Sequence, residues 1–327
     1  MTETNDLQTG APSDLNHVIG QRRAVQQLST AIEAIINDRA ATVPSGEAPA
    51  LGHLLLVGPP GLGKSLLAGI IGRELGSNCH EELAQNILSP AHFQGLMMLA
   101  DPFDVVFLDE IHELDPVVQT TLYRCLEERR LFLPTPHTGE RNAITLPPFT
   151  FVGATTDEHR LSRPLRDRFK QIVRLTYYAT EELSLLLTQR SRRLGWHVEP
   201  AAIADIATKG RGTPRIAIRL LEAARRVCRA AGATTITLDH VRRMMEIDGV
   251  DSLGLDDLEQ RYLLLLSGSA SPVRLNVLAT MLGLNRRTLE TVIESDLLRL
   301  GLIRKSDEGR TLTPQGREHL ARTTPAT

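Results

Sequence analysis

The sequence predicts an α/β protein in which a P-loop parallel-sheet domain is followed by an α-helical domain and a small C-terminal winged helix. Three observations carry that expectation. The stretch LLLVGPPGLGKSLLAGII, residues 54–71, joins an apolar strand to an amphipathic helix through a Gly/Pro turn that ends in Lys-Ser. A second apolar run, DVVFLDEIHEL at 104–114, ends in paired carboxylates. Beyond about residue 176 the strand-like runs give way to short helices, and the chain closes on helices followed by two strands about a turn.

Composition bounds the possibilities. With 327 residues the prior favours two or three domains. The chain is 42% hydrophobic and 23% charged with a net charge of -2, a soluble globular profile without the basic excess that advertises nucleic acid. Any nucleic-acid surface must therefore be local. Cys79, Cys125 and Cys228 are far apart and lack metal-ligand spacing, so buried reduced thiols are expected rather than a disulfide framework or a zinc site. That usage fits a reducing cytosol. No basic-then-apolar leader opens the chain and no apolar run approaches membrane-spanning length, so a cytoplasmic protein with no membrane partner is expected.

Residues 1–13, polar with Gly and Pro, read as a disordered N-terminal tail. The first block, 14–176, alternates helices and strands: an amphipathic stretch at Ala24–Ile36, a Pro/Gly/Ser connection at Thr42–Pro49, then the strand Leu54–Val57. Leu66, Leu67, Ile70 and Ile71 follow at helical spacing. Between strand and helix, Gly58, Gly61 and Gly63 let successive N–H groups face one concavity ahead of a helix N-terminus, whose dipole favours anions. The spacing Gly58-x-x-x-x-Gly63-Lys64-Ser65 is that of the P-loop. In such a loop the Lys reaches the β and γ phosphates and the hydroxyl ligates magnesium. A nucleotide triphosphate with Mg2+ is the expected ligand.

The next strand delivers Asp109 and Glu110 to the C-terminal edge of the sheet, where α/β ligands bind. Asp109 there would enter the magnesium shell and Glu110 would polarise the attacking water. In FTFVGATTDEHRLSRPLRDRF, residues 149–169, a third strand ends in Thr155 and Thr156, either of which would reach a γ-phosphate or its water. Arg166 and Arg168 follow in a Pro-started segment. An Arg set against a transferring phosphoryl group stabilises its charge, and one supplied by a neighbouring subunit makes catalysis depend on assembly. The second block, 177–252, reads as a helical domain, in which GRGTPRIAIRLL at 210–221 places Arg215 in the first turn of a helix. The third, 253–327, has amphipathic helices at Leu258–Leu266, Leu275–Leu282 and Thr288–Leu300 and then LIRKSDEGRTLT, a winged-helix pattern.

These signals in this order resemble the AAA+ ATPases. HVIGQRRAVQQL, HLLLVGPPGLGKS, VVFLDEIHEL, LPPFTFVGATT, PLRDRF and GTPRIAIRLL further resemble the RuvB family, the motor of Holliday-junction branch migration, across about Leu15–Leu320. The resemblance implies a nucleotide-binding domain that takes ATP, a lid and a winged helix on DNA. It also implies hexameric rings around double-stranded DNA, loaded at four-way junctions by the partner RuvA. Carried over by position, Lys64 and Ser65 form Walker A within a cradle of Gly58, Pro59, Pro60, Gly61, Leu62, Gly63 and Leu66. Asp109 and Glu110 form Walker B, Thr156 is sensor 1, Arg168 the finger with Arg166 close by, and Arg215 sensor 2. Ile19, Tyr178 and Pro214 stand where the family packs around adenine. Arg286, Arg287, Arg304, Lys305 and Arg310 are the candidate DNA contacts.

Several positions depart from the family pattern. The Arg-Pro pair before VIGQ is missing, Glu113 stands in place of Arg, Asp157-Glu158-His159 replace Arg-Ala-Gly, and Lys170 replaces Gly. The segment Arg129–Leu146, which the family uses to grip RuvA, carries Pro134 and Pro136, so a reshaped tip is expected. Asp307 and Glu308 dilute the charge of the wing, predicting weaker, salt-sensitive DNA binding. Two further readings therefore stand beside the junction motor. One is a divergent ATPase that remodels another DNA or protein complex without RuvA. The other is a nucleotide-switched winged-helix DNA binder.

Overall fold

The computed structural model describes residues 10–41, 49–134 and 141–323. Most of the expected N-terminal tail, most of the Thr42–Pro49 connection and the tip between Pro134 and Arg141 lie outside the described residues. The chain divides into two compact units, Met1–Gly195 with Gly212–Arg215, and Trp196–Arg211 with Ile216–Thr327.

The first unit is built on the strands β1 (Leu54–Val57), β2 (Cys79–Leu83), β3 (Val105–Asp109), β4 (Arg130–Pro134), β5 (Arg141–Thr145), β6 (Thr150–Thr155) and β7 (Gln171–Arg174). Five of them form a parallel sheet in the order β2-β3-β6-β1-β7. β1, β3 and β6 are interior strands covered on both faces, which is why their sequences are almost continuously apolar rather than alternating. β2, at the edge, alternates between exposed and half-buried residues. The core on one side of the sheet gathers Leu55, Leu108, Phe151 and Phe169 with Leu122 and Cys125. Leu122 and Cys125 lie on the helix Pro116–Glu128, whose start is fixed by Asp115: its carboxylate accepts from Val117 N at 2.8 Å, and Pro116 follows it. β4 and β5 form a separate antiparallel pair, from Arg130↔Thr145 to Pro134↔Arg141.

Register sets the site. Val57, the last residue of β1, pairs with Thr155 on one side and Arg174 on the other, and Leu108 of β3 pairs with Gly153 of β6. Because all these strands are parallel, the loops after β1, β3 and β6 leave from the same sheet edge.

The second unit holds the helices Pro200–Lys209 and Leu238–Asp248, most of Pro214–Ala230, and a two-residue parallel pair, β8 (His197–Val198) with β9 (Thr235–Ile236). The expected C-terminal pattern follows: helices Asp257–Ser267 and Leu275–Leu282, a helical run from Arg286 to Arg299, and β10 (Ile303–Lys305) antiparallel to β11 (Arg310–Leu312). Tyr262, Leu263, Leu278, Ile293, Leu297 and Leu302 form its core. Glu259, in the first of these helices, receives the Arg211 guanidinium at 2.7 Å, with both side chains 6% exposed. Asp251 similarly meets His319 at 2.7 Å. The helix Thr180–Arg193 belongs to the first unit rather than to this one.

Cys125 and Cys228 are buried free thiols as expected, but Cys79 corrects the general expectation: it is exposed, because β2 is an edge strand. No helix among the described residues is long and apolar enough to cross a membrane.

Candidate nucleotide site

The turn after β1 needs glycine for stated reasons. Gly61 and Gly63 have φ of 78° and 100°, in the left-handed region closed to most side chains. A Cβ on Gly58 would lie 2.8 Å from the Leu175 carbonyl oxygen, and one on Gly61 would lie 2.9 Å from Arg215 Cβ. Glycine therefore lets the loop approach its neighbours as well as bend. Leu62 is buried, Leu66 is half-buried, Pro59 and Pro60 line the turn, and the helix Lys64–Glu74 begins directly behind it.

Lys64 is 6% exposed, and its ammonium folds over the loop, donating to the carbonyls of Gly58 at 2.7 Å and Pro59 at 3.1 Å. Burial pushes its pKa down, the carboxylates of Glu110 and Asp109 pull it back up, and Arg215 pushes it down again. Three side chains from two other segments thus act on one charge. Ser65 Oγ donates to Asp109 Oδ2 at 2.9 Å, while Asp109 Oδ1 accepts from Glu110 N at 2.9 Å.

Glu110 has φ of 49°, a left-handed conformation uncommon outside glycine, which turns the chain sharply after β3. Its Oε2 accepts from Thr156 N at 3.2 Å and Thr156 Oγ1 at 3.0 Å. Thr155 is fully buried and bonds instead to His112 Nδ1 at 3.0 Å and Asp157 N at 3.0 Å. Of the two threonines the sequence left open, Thr156 is the one that touches Glu110.

The two arginines of PLRDRF have separate partners. Arg166 Nε lies 2.8 Å from Glu158, whose carboxylate is also bound twice by Arg174 at 2.5 and 3.0 Å. The Arg174 bonds come first in holding the Glu158 carboxyl below its ordinary range. Arg168 Nη2 donates to Tyr123 Oη at 3.2 Å and meets Glu127 at 2.7 Å, with the guanidinium 4.9 Å from the Tyr123 ring centre.

Arg215 is exposed, and its backbone N donates to Gly61 O at 3.3 Å. Pro214 is buried just before it. Tyr178 N donates to Gly212 O at 2.9 Å, and a Cβ on Gly20 would meet the Tyr178 ring at 2.6 Å. Half-buried Ile19 precedes that contact. Gln21 fixes it by bonding both backbone groups of Thr176, at 2.7 and 3.1 Å. Sequence reasoning missed Gln21, Tyr123, Glu127, Glu158 as a clamp, and His112. Gln21, Tyr123 and Glu127 are ordinary polar residues whose partners lie far away in sequence, whereas Glu158 and His112 gain theirs from the local folding of the chain.

In the second unit Arg286 and Arg287 are exposed in a helical turn whose N-cap, Asn285, accepts from Thr288 N at 2.7 Å. Arg304 is exposed, and Lys305 lies 3.1 Å from Glu290. Arg310 requires correction as a DNA contact. It is 7% exposed, and its guanidinium is bound by Glu294 at 2.8 and 3.1 Å and by Glu290 at 3.1 Å, so it knits β11 to the preceding helix.

The family model described as the Holliday junction DNA helicase RuvB P-loop domain matches residues 11–175. The RuvB AAA lid domain matches 178–251, and the RuvB C-terminal winged helix domain matches 252–321. The Holliday junction branch migration complex subunit RuvB of Synechococcus sp. (strain CC9311) is 41% identical over 314 residues, covering 94% of this chain and 85% of that protein. Its counterpart from Prochlorococcus marinus (strain MIT 9303) is 40% identical over 94% of this chain and 87% of its own. The solved structure of the Thermotoga maritima RuvB Holliday junction branch migration motor superposes with a TM-score of 0.83 at 35% identity, covering 97% of this chain and 100% of that one. With three matched domains and such relatives along nearly its full length, this chain belongs to the RuvB family.

Proposed function

We propose that the chain is an ATP-driven DNA motor that migrates the branch point of four-way Holliday junctions in recombination and repair. The observation that carries it is the hydrogen-bonded line Ser65–Asp109–Glu110–Thr156 beside the buried Lys64, in a member of this family. Each group has a task suited to phosphoryl transfer. Lys64, now bound to two loop carbonyls, would exchange them for phosphate oxygens of ATP. Ser65 and Asp109 offer two hard oxygens 2.9 Å apart, a fit for Mg2+, which takes one or two protein oxygens and leaves the rest of its shell to phosphate and water. When bound, the ion neutralises charge on the β and γ phosphates.

Glu110 orients the attacking water, and Thr156 holds its carboxylate from the neighbouring strand end. Arg215 reaches the phosphates from beside Gly61. Ile19, Tyr178 and Pro214 flank the base. Arg168 serves the site of the adjacent subunit in a ring, taken as a hexamer around duplex DNA, while Arg166 stays with Glu158. We divide the chain functionally into 14–176, 177–252 and 253–327, the last binding DNA through Arg286, Arg287, Arg304 and Lys305. A RuvA-like protein is its junction partner, and the setting is cytoplasmic.

The test is migration of a synthetic four-way junction with ATP and Mg2+, with and without RuvA. ATP-dependent strand separation, lost in Lys64→Ala, is expected. A chain that hydrolyses ATP and binds the junction but leaves it intact, even with RuvA, would refute the motor reading.

A further inference from the structure

We infer that His112 and Glu113 are positioning residues for Glu110: Glu113 fixes the hydrogen-bonding state of the His112 ring, and that state keeps the Glu110 carboxylate free to engage water. The inference rests on the ATPase reading above.

His112 lies in the single turn Ile111–Glu113 that follows β3 and is 8% exposed. One ring edge carries Nδ1, 3.2 Å from Glu110 Oε2 and 3.0 Å from Thr155 Oγ1. The other carries Nε2, 3.2 Å from Glu113 Oε1. Arg160 Nη1 donates to that same Glu113 oxygen at 2.7 Å, fixing where the carboxylate sits.

An ionised carboxylate only accepts hydrogen bonds, and a neutral imidazole carries one N–H and one lone pair. For a neutral ring the arrangement therefore has two solutions, and the surrounding bonds choose between them. Thr155 Oγ1 already accepts from Asp157 N at 3.0 Å, which leaves its own proton to be donated. Donated to His112 Nδ1, it makes Nδ1 the acceptor and puts the ring proton on Nε2, aimed at Glu113. The bonds then run in one direction: Asp157 N to Thr155, Thr155 to His112, His112 to Glu113, with Arg160 closing the far end.

The consequence falls on Glu110. With its lone pair toward Glu110, Nδ1 offers that carboxylate no proton, so among the described residues the Glu110 carboxylate is held by Thr156 and keeps its remaining acceptor capacity for water. The opposite ring state would place an N–H against Glu110 Oε2 and draw the carboxylate away. Replacing Glu113 by Gln shifts the balance toward that opposite state, because it removes the negative charge that holds the proton on Nε2 while Glu110 keeps its own charge toward Nδ1. The change is isosteric and touches neither the P-loop nor the magnesium ligands.

The experiment is steady-state ATP hydrolysis by the full chain with double-stranded DNA and Mg2+, together with its thermal unfolding midpoint. Glu113→Gln should lower kcat on the order of tenfold to a hundredfold, the scale of misplacing a catalytic group, while KM for ATP and the unfolding midpoint hold. In a His112→Asn background, where the ring is gone, Glu113→Gln should add nothing. Wild-type kcat in Glu113→Gln, or an undiminished further loss in the His112→Asn background, would overturn the inference while leaving the ATPase reading intact. A wild-type chain that hydrolyses no ATP in the assembled state would overturn both.

Discussion

Arg168 is gripped by Glu127 at 2.7 Å and lies over the ring of Tyr123, one turn earlier on the same helix, with its guanidinium 4.9 Å from the ring centre. The Tyr123 hydroxyl bond is the leading cause that raises the Arg168 pKa further, so the charge is permanent. If this guanidinium stabilises phosphoryl transfer, Arg168→Ala should leave ATP affinity near wild type and lower turnover on the order of a thousandfold or more. Tyr123→Ala, which keeps the charge but removes its support, should fall between. Nucleotide-binding titrations beside turnover assays separate the two effects, and equal loss of affinity would contradict the assignment.

The Arg211–Glu259 pair should matter to folding rather than to chemistry. Both groups are buried, and burial drives the Glu259 pKa up while Arg211 opposes it, so removing Arg211 strands a carboxylate away from water. Arg211→Ala should cost about 3–5 kcal/mol in denaturant unfolding of this unit. Replacing both residues by apolar ones of similar volume should restore most of that loss.

His53 provides a pH test. Its Nδ1 accepts from Phe151 N at 3.2 Å, which leaves Nε2 to donate to Leu126 O at 3.3 Å, and burial pushes its pKa down to about 4. Above the ordinary value of 6.5 the ring is neutral whether folded or not. Between there and about 4 only the unfolded chain takes up the proton, so stability falls as pH falls, by about 1.4 kcal/mol per unit. Urea midpoints of wild type and His53→Asn should converge on acidification across that window, and parallel curves would contradict it.

DNA binding should separate the wing arginines. Arg304 is exposed and Arg310 buried against Glu294. Arg304→Ala should weaken binding to any duplex and reduce the salt slope by about 1, whereas Arg310→Ala should lower the unfolding midpoint of the unit. A reduced salt slope in a still-folded Arg310→Ala would reinstate Arg310 as a phosphate contact.

Local sequence revealed the elements that local physics determines. β1 could be read as Leu54–Val57 because four apolar residues run straight into Gly58, and the structure has the same bounds. Lys64, Ser65, Asp109 and Glu110 were legible for a related reason: each sits at the end of a buried strand or the start of the helix behind it. What escaped was decided by partners far along the chain. Arg310 reads as a wing charge until Glu294 appears on another element, and Cys79 reads as buried until its strand proves to be an edge. Thr155 and Thr156 are equivalent in sequence, and only the depth of the strand end turns one toward His112 and the other toward Glu110. His112 carried no signal of its own, because its interest lies in the two carboxylates that the turn after β3 folds around it.

The central claim is that hydrolysis at one subunit's Lys64 and Glu110 is completed by Arg168 of the next. The most direct measurement is ATP turnover in mixtures of Arg168→Ala and Glu110→Gln chains on duplex DNA. Each alone should be nearly inactive, and mixing should restore turnover, because some interfaces then pair an intact Glu110 with an intact Arg168. Mixed rings that form but stay as inactive as their parents, or an Arg168→Ala chain active by itself, would contradict it.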